Sequence, residues 1–207
     1  AAQQSYNFIE DYEISFMIVF IVLVTLLILY IVYENHTRNK ELLKYAQTDA
    51  LTGLYNKETT EQLTDELLSE DENKSHAFLI LDVDCFKQIN DIYGHAVGDI
   101  VLQKFGKLLK GTFREGDILG RIGGDEFGVI MKNIQTKDIA MKKAGELLAK
   151  TQAYRIDELK GNNISISIGI STAPQDGDCY MDLYKRADQA LYQAKRSGKA
   201  RVCNYFS

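Results

Sequence analysis

The sequence predicts an α+β domain, a central mainly antiparallel sheet surrounded by helices, preceded by one transmembrane helix. Three observations carry that expectation. Residues 14–33 hold no charged side chain. Two short apolar runs, residues 118–122 and 127–131, flank a Gly123-Gly124 break and read as a β-hairpin. Around that hairpin, stretches of helical and strand periodicity alternate, which is the pattern of a sheet layered by helices.

Composition narrows the class. The chain has 207 residues, 45% hydrophobic and 26% charged, which suits one globular domain plus an additional segment. A net charge of −5 argues against bulk nucleic-acid binding. Cys85, Cys179 and Cys203 are widely spaced and odd in number, so they read as reduced thiols rather than a disulfide framework. The first residue, Ala1, is not Met, as expected of a piece of a longer protein.

In chain order, residues 1–13 form an extracytoplasmic stub, too short to fold alone. At about 1.5 Å per residue, residues 14–33 reach roughly 30 Å, the hydrocarbon thickness of a bilayer. A buried core helix would keep a polar face. A signal peptide would follow a basic segment, whereas Glu10, Asp11 and Glu13 precede this run. Tyr12, Tyr30 and Tyr33 lie near its ends, where interfacial anchors sit. Arg38, Lys40 and Lys44 follow it, so the positive-inside rule puts the remaining chain in the cytoplasm. Residues 34–48 read as a polar helical linker, equally a solvated spacer or a short coiled coil.

The domain then runs from 49 to 207. Residues 57–70 are helical, with Leu63, Leu67 and Leu68 on one side, and residues 76–81 form an apolar central strand. Leu102, Phe105, Leu108, Leu109 and Phe113 stand at helical spacing over 100–113. After the hairpin, residues 136–154 read as a helix. Ile164, Ile166, Ile168 and Ile170 then alternate along a strand over 163–171. A helix over 180–197, closed by Gly198, and a final strand over 202–206 complete the domain.

Three stretches can carry chemistry. In RIGGDEFGVI, residues 121–130, the glycines allow φ > 0 and close approach of backbone N–H groups to a phosphate. Asp125 and Glu126 then follow on an outgoing strand, facing opposite ways and free to do different jobs; a solvated hairpin tip would look the same. In LDVDCFKQINDIYGHAVGD, residues 81–99, Asp82 ends an apolar strand, where sites form in α/β sheets. Asp82 and Asp125 can share a hard cation such as Mg²⁺. The Asx and Gly residues that follow also suit turns and caps, and His95, with no partner His or Cys near in sequence, reads as structural. In LYQAKRSGKAR, residues 191–201, Lys195 and Lys199 share a helix-end face, to hold phosphates or simply to be solvated.

Together these stretches resemble the GGDEF family of diguanylate cyclases. GGDEF stands at 123–127, DALTGLYNK at 49–57 resembles the domain-opening motif, and the central stretch from Asp82 to Asp99 and the closing AKRSGK are similar in the same order. The resemblance implies a palm-like, nucleotide-cyclase-like fold and condensation of two GTP into cyclic di-GMP with release of two pyrophosphates. It implies Mg²⁺, possible replacement by Mn²⁺, and a homodimer in which each domain holds one GTP. Carried over, Asp82, Asp125 and the Val83 carbonyl resemble the metal ligands. Glu126 resembles the acid that helps activate the 3′-hydroxyl, with Asp125 and Lys195 also counted as catalytic. Asn90 and Asp99 resemble the guanine readers. Phe86, Lys87, Lys195 and Lys199 resemble the triphosphate set, with Gly124 meeting substrate through its backbone. Arg114 and Asp117, in REGD, resemble the inhibitory site for product. Lys57 and Lys199 stand where Arg is common, and Cys85 where an aromatic or His is common, which bears on rate rather than reaction type.

The sequence therefore predicts a single-pass protein of the bacterial inner membrane with a cytoplasmic cyclase domain. The rival readings are a non-catalytic GTP or cyclic di-GMP binding module, a cyclase making an adenine-containing dinucleotide, and a structural adaptor. The first is disfavoured by the intact acids, and the second by Asp99.

Overall fold

The computed structural model describes residue 17 and residues 20–38, 46–70 and 74–205. The expected stub, the first part of the expected span, linker residues 39–45 and the end of the final strand lie outside these. The chain divides into two units, residues 1–46 and 47–207.

In the first unit, α1 (Phe20–Arg38) has mean hydropathy 1.7 and no burial within the chain. It is long and apolar enough to cross a membrane. The helix passes the end of the uncharged run into Glu34–Arg38, whose side chains pair one turn apart at 2.7 Å.

The second unit is built on five strands, β1 (His76–Val83), β2 (Ile118–Arg121), β3 (Glu126–Met131), β4 (Ile166–Ala173) and β5 (Val202–Asn204). Their order is β2-β3-β1-β4-β5, antiparallel except for the β4–β5 pair. Helices α2 (Lys57–Glu70), α3 (Phe86–Tyr93), α4 (His95–Thr112), α5 (Lys137–Ala153) and α6 (Tyr180–Arg196) surround it.

Strand parity decides what each face meets. Ala77, Leu79, Leu81 and Val83 of β1 join a cluster with Leu102, Phe105, Leu109, Ala144 and Leu147 of α4 and α5. Phe78 and Ile80 join the opposite cluster, with Leu67 and Leu68 of α2 and Leu183 and Leu191 of α6. Asp82 continues this second series and so emerges beside α6. In β4 the isoleucines line the first cluster, but the alternate positions do not face water. Ser171 Oγ donates to Leu183 O at 2.8 Å, and a Cβ added at Gly169 would overlap Ala187 O of α6. Small residues let the helix lie on the strand, so an alternating pattern conceals a strand buried on both faces.

Three local expectations are corrected. β1 runs on to Val83. The polar stretch after it forms α3 and the first turn of α4 rather than turns alone, with Gly94 at φ 85° making the break. The hairpin strands stop at Arg121 and resume at Glu126, so Asp125 lies in the turn and the two acids are not alternate strand positions. Neither Gly123 nor Gly124 has a positive φ.

Candidate active site

The acids gather at one end of the sheet because three chain segments meet there. Asp82 is the penultimate residue of β1, and Glu126 opens β3 directly opposite it in the antiparallel register. Directly opposed residues share a face, so both carboxylates rise on the α6 side. Val83 N–H donates to Asp125 O at 3.2 Å, which fixes the turn against the end of β1. From α6, Lys195 Nζ reaches Asp82 Oδ2 at 2.7 Å. Phe127 anchors the start of β3 by packing edge-on against Phe105 of α4, ring centroids 4.9 Å apart.

This crowding is electrostatically costly. Burial pushes the Asp82 carboxyl above its usual range, Lys195 opposes this, and Asp125 and Asp84 add to it. Burial likewise raises Glu126, with the Asp82 charge next, Lys195 opposing, and Asp125 and Asp188 adding. Carboxylates that repel one another in a half-dry site favour a cation, and the Lys195 ammonium supplies one charge of that sign.

The turn itself is braced from outside. Ile122 and Gly123 N–H both donate to Glu126 O, at 2.9 and 3.2 Å. Arg121 Nε and Nη2 donate to Gly124 O at 3.2 and 2.7 Å. The same guanidinium donates to both carboxylate oxygens of Asp49, at 3.1 and 3.2 Å. Against the penalty of burial, the Thr52 hydroxyl and N–H and the Arg121 charge hold Asp49 below the usual carboxylate range. A Cβ added at Gly124 would meet nothing within 4 Å, so open space adjoins this position.

Phe86 and Lys87 open α3, three and four residues past β1, and so lie at the same sheet end. Lys199 joins them, its Nζ donating to Cys85 Sγ at 3.1 Å. Asp84, to which sequence reasoning gave no role, organises this corner. Its buried carboxylate accepts from Ser165 Oγ, Ser167 Oγ and Ala200 N–H, at 2.8, 2.7 and 3.1 Å. It thereby ties the turn carrying Lys199, with left-handed φ at both Lys199 and Ala200, to β1 and β4. The available signal was a second Asp at the tail of an apolar strand. Asn90 is half-buried on α3, Asp99 is exposed on α4, and His95 is exposed at the start of α4.

Arg114 and Asp117 stand elsewhere. They precede β2, and Asp117 Oδ1 accepts from Lys132 N–H beyond the far end of β3, at 3.1 Å. Asp117 also accepts from Arg114 Nε at 3.0 Å and is almost wholly buried. Its carboxylate therefore closes its own loop, and the largely exposed Arg114 guanidinium braces that loop as well, donating from Nη2 to Lys132 O. A cleft of about 520 Å³ adjoins, lined by Arg114, Asn133, Gln135 and Lys143 among others. Asp178, Cys179 and Asp182 also bring ligand atoms within 4.8 Å of one another, but at the positive N-terminal end of α6.

An α+β sheet thus gathers Asp82, Glu126 and Lys195 at one end, with Asp125 in the turn beside them. The chain belongs to the GGDEF family: the model of the diguanylate cyclase GGDEF domain matches residues 46–201. It is 36% identical over 170 residues to diguanylate cyclase A of Treponema denticola, covering 79% of this chain and 46% of that one. It is 36% identical over 177 residues to the response regulator PleD of Caulobacter vibrioides, covering 82% and 39%. The chain thus spans less than half the length of these two relatives. Among solved structures, the GGDEF domain of DgcB from Caulobacter crescentus in complex with c-di-GMP matches with TM-score 0.72 and 27% identity. That match covers 78% of this chain and 94% of the other.

Proposed function

We propose that the chain is a membrane-anchored diguanylate cyclase that condenses two GTP into cyclic di-GMP and two pyrophosphates. The observation that carries this reading is the cluster at the sheet end: Asp82 and Glu126 face to face, Asp125 beside them and Lys195 held on Asp82 at 2.7 Å. An all-oxygen donor set, with a carboxyl pushed up by burial and further by neighbouring negative charge, fits a hard divalent cation, Mg²⁺ or Mn²⁺. Asp82, Asp125 and the Val83 carbonyl would hold it, where it supplies charge neutralisation and phosphate polarisation.

The chain's own groups do the rest. Lys195, Lys199 and Lys87 bind triphosphate oxygens, with Phe86 against the substrate and the open Gly124 backbone admitting it. Asn90 and Asp99 orient guanine, the carboxylate accepting from N1–H and the 2-amino group. Glu126, its carboxyl raised, takes the proton from the attacking 3′-oxygen. A facing second copy presents the second GTP, which makes the homodimer a proximity device. Residues 14–33 anchor the chain in the inner membrane, and the basic residues after them keep the domain cytoplasmic. Product bound at Arg114, beside Asp117, restrains turnover.

The test is a product assay on the full chain in lipid, with GTP, Mg²⁺ and competing ATP, products identified by mass. Cyclic di-GMP is expected, with at least a hundredfold loss in Asp125→Ala, roughly what removing a central electrostatic group costs. No product from copies enforced as dimers by a fused coiled coil would replace this reading with a binding module.

A further inference from the structure

Helix α4 carries a glycine at 98 that its backbone does not need. Gly98 is buried in the helix and has no positive φ, and alanine is the better helix former. The missing side chain therefore answers a demand for space. A Cβ added there would overlap Asn90 Oδ1, with Asn90 Cγ at 3.0 Å and Phe86 Cζ at 3.2 Å. The Asn90 amide lies directly on the Gly98 backbone, and Gly98 adjoins Asp99. The break at Gly94, whose N–H donates to Asn90 O at 2.9 Å, folds α3 back onto α4 to make this contact.

The amide is held by packing, not bonding. Asn90 Oδ1 is buried and has no hydrogen-bond partner among the described residues. A methyl group at 98 would displace it without breaking a hydrogen bond at that oxygen, and α4 would keep its helical backbone. Gly111, on the same helix, is a natural contrast, because a Cβ there meets nothing within 4 Å.

We infer that Gly98 is a positioning residue for base recognition: it seats the Asn90 amide beside Asp99, and this inference rests on the cyclase reading above. Gly98→Ala leaves the fold intact and moves the guanine reader. The cost falls on GTP binding rather than on the chemical step.

The experiment compares Gly98→Ala, Asn90→Ala, their double variant and Gly111→Ala with the wild type, as full chains in lipid nanodiscs with Mg²⁺. For Gly98→Ala, KM for GTP should rise about tenfold, the equivalent of one lost hydrogen bond, with kcat within about twofold. Gly111→Ala should match the wild type. In the Asn90→Ala background, adding Gly98→Ala should change KM by less than about twofold, because the displaced group is gone. A wild-type KM in Gly98→Ala, or effects that multiply in the double variant, would overturn the inference. Should Gly98→Ala fail to fold, recovery of folding in the double variant supports the contact, and no recovery overturns it. Absence of cyclic product from the wild type counts against the cyclase reading instead. The same five proteins are then titrated with a non-hydrolysable GTP analogue, and the expected pattern moves from KM to Kd. A wild type that binds no GTP analogue overturns both.

Discussion

Asp82 sits where function and stability pull in opposite directions. It is 6% exposed, faces Glu126 and is answered by one ammonium. Its folded carboxyl is raised above the ordinary 3.8, so the fold favours the protonated form. A raised acid contributes stability at low pH, and that contribution is lost as pH rises from the unfolded value through the folded one. At neutral pH without metal, the domain therefore carries the penalty of a charged Asp82. Asp82→Asn should melt above the wild type at pH 7 in EDTA, with the difference shrinking toward pH 4, while product formation is lost. A lower melting temperature at pH 7 would mean that the Lys195 ion pair outweighs burial. The acids themselves were legible, since Asp82 ends an apolar run and Asp125 and Glu126 follow two glycines. Asp84 was not, because its three donors come from residues 165, 167 and 200, which only the folded sheet brings to it. Gly123 and Gly124 allow a positive φ but do not use it, and the turn is instead closed by paired donors to Glu126 O.

At the scale of elements, the opening motif braces the turn that carries Asp125. Tyr55 bonds to both Leu119 and Arg121 of β2, and Asp49 is joined through Arg121 to Gly124. Because Asp49 is held below the usual carboxylate range, its contribution is present above pH 3.8 and lost as pH falls through the lowered folded value. Asp49→Asn should therefore lower unfolding stability by about 1.5–3 kcal/mol at pH 7, the range for a hydrogen bond to a charged partner. The gap to the wild type should narrow as pH falls below 3.8, read by denaturant unfolding at pH 7 and pH 3. A gap independent of pH would assign the effect to packing. Elements with strong periodicity were legible: Leu102, Phe105 and Leu109 gave α4, and Leu183, Ala187 and Leu191 lie along α6. Helix α3 was not, because FKQINDIY buries no residue fully and its apolar Phe86, Ile89 and Tyr93 only lean on the core. The two-sided burial of β4 was hidden because serine and glycine look like a solvent face when they are in fact helix-packing positions.

At the scale of the whole molecule, the proposed reaction needs two copies, and a single chain's sequence records that requirement only through its family. Residues 34–48 are the one covalent path from the proposed span to the opening motif, and Asp49 follows them directly. If that path is a continuous helix, its phase sets the angle at which each domain meets its twin. Inserting two residues turns the downstream chain by about 200°, whereas inserting seven turns it by about 700°, within about 20° of the starting phase. Cyclic di-GMP formation by the full chain in lipid should therefore fall at least tenfold with the two-residue insertion, since misplacing a reactant by even an ångström is worth about a hundredfold. It should stay within about twofold with the seven-residue insertion. Equal activity in both would show that the linker is a solvated spacer and that the domains find each other without it. Loss in both, with the folded domain still binding GTP, would make length rather than phase the controlling variable and would replace rotation with reach as the physical account.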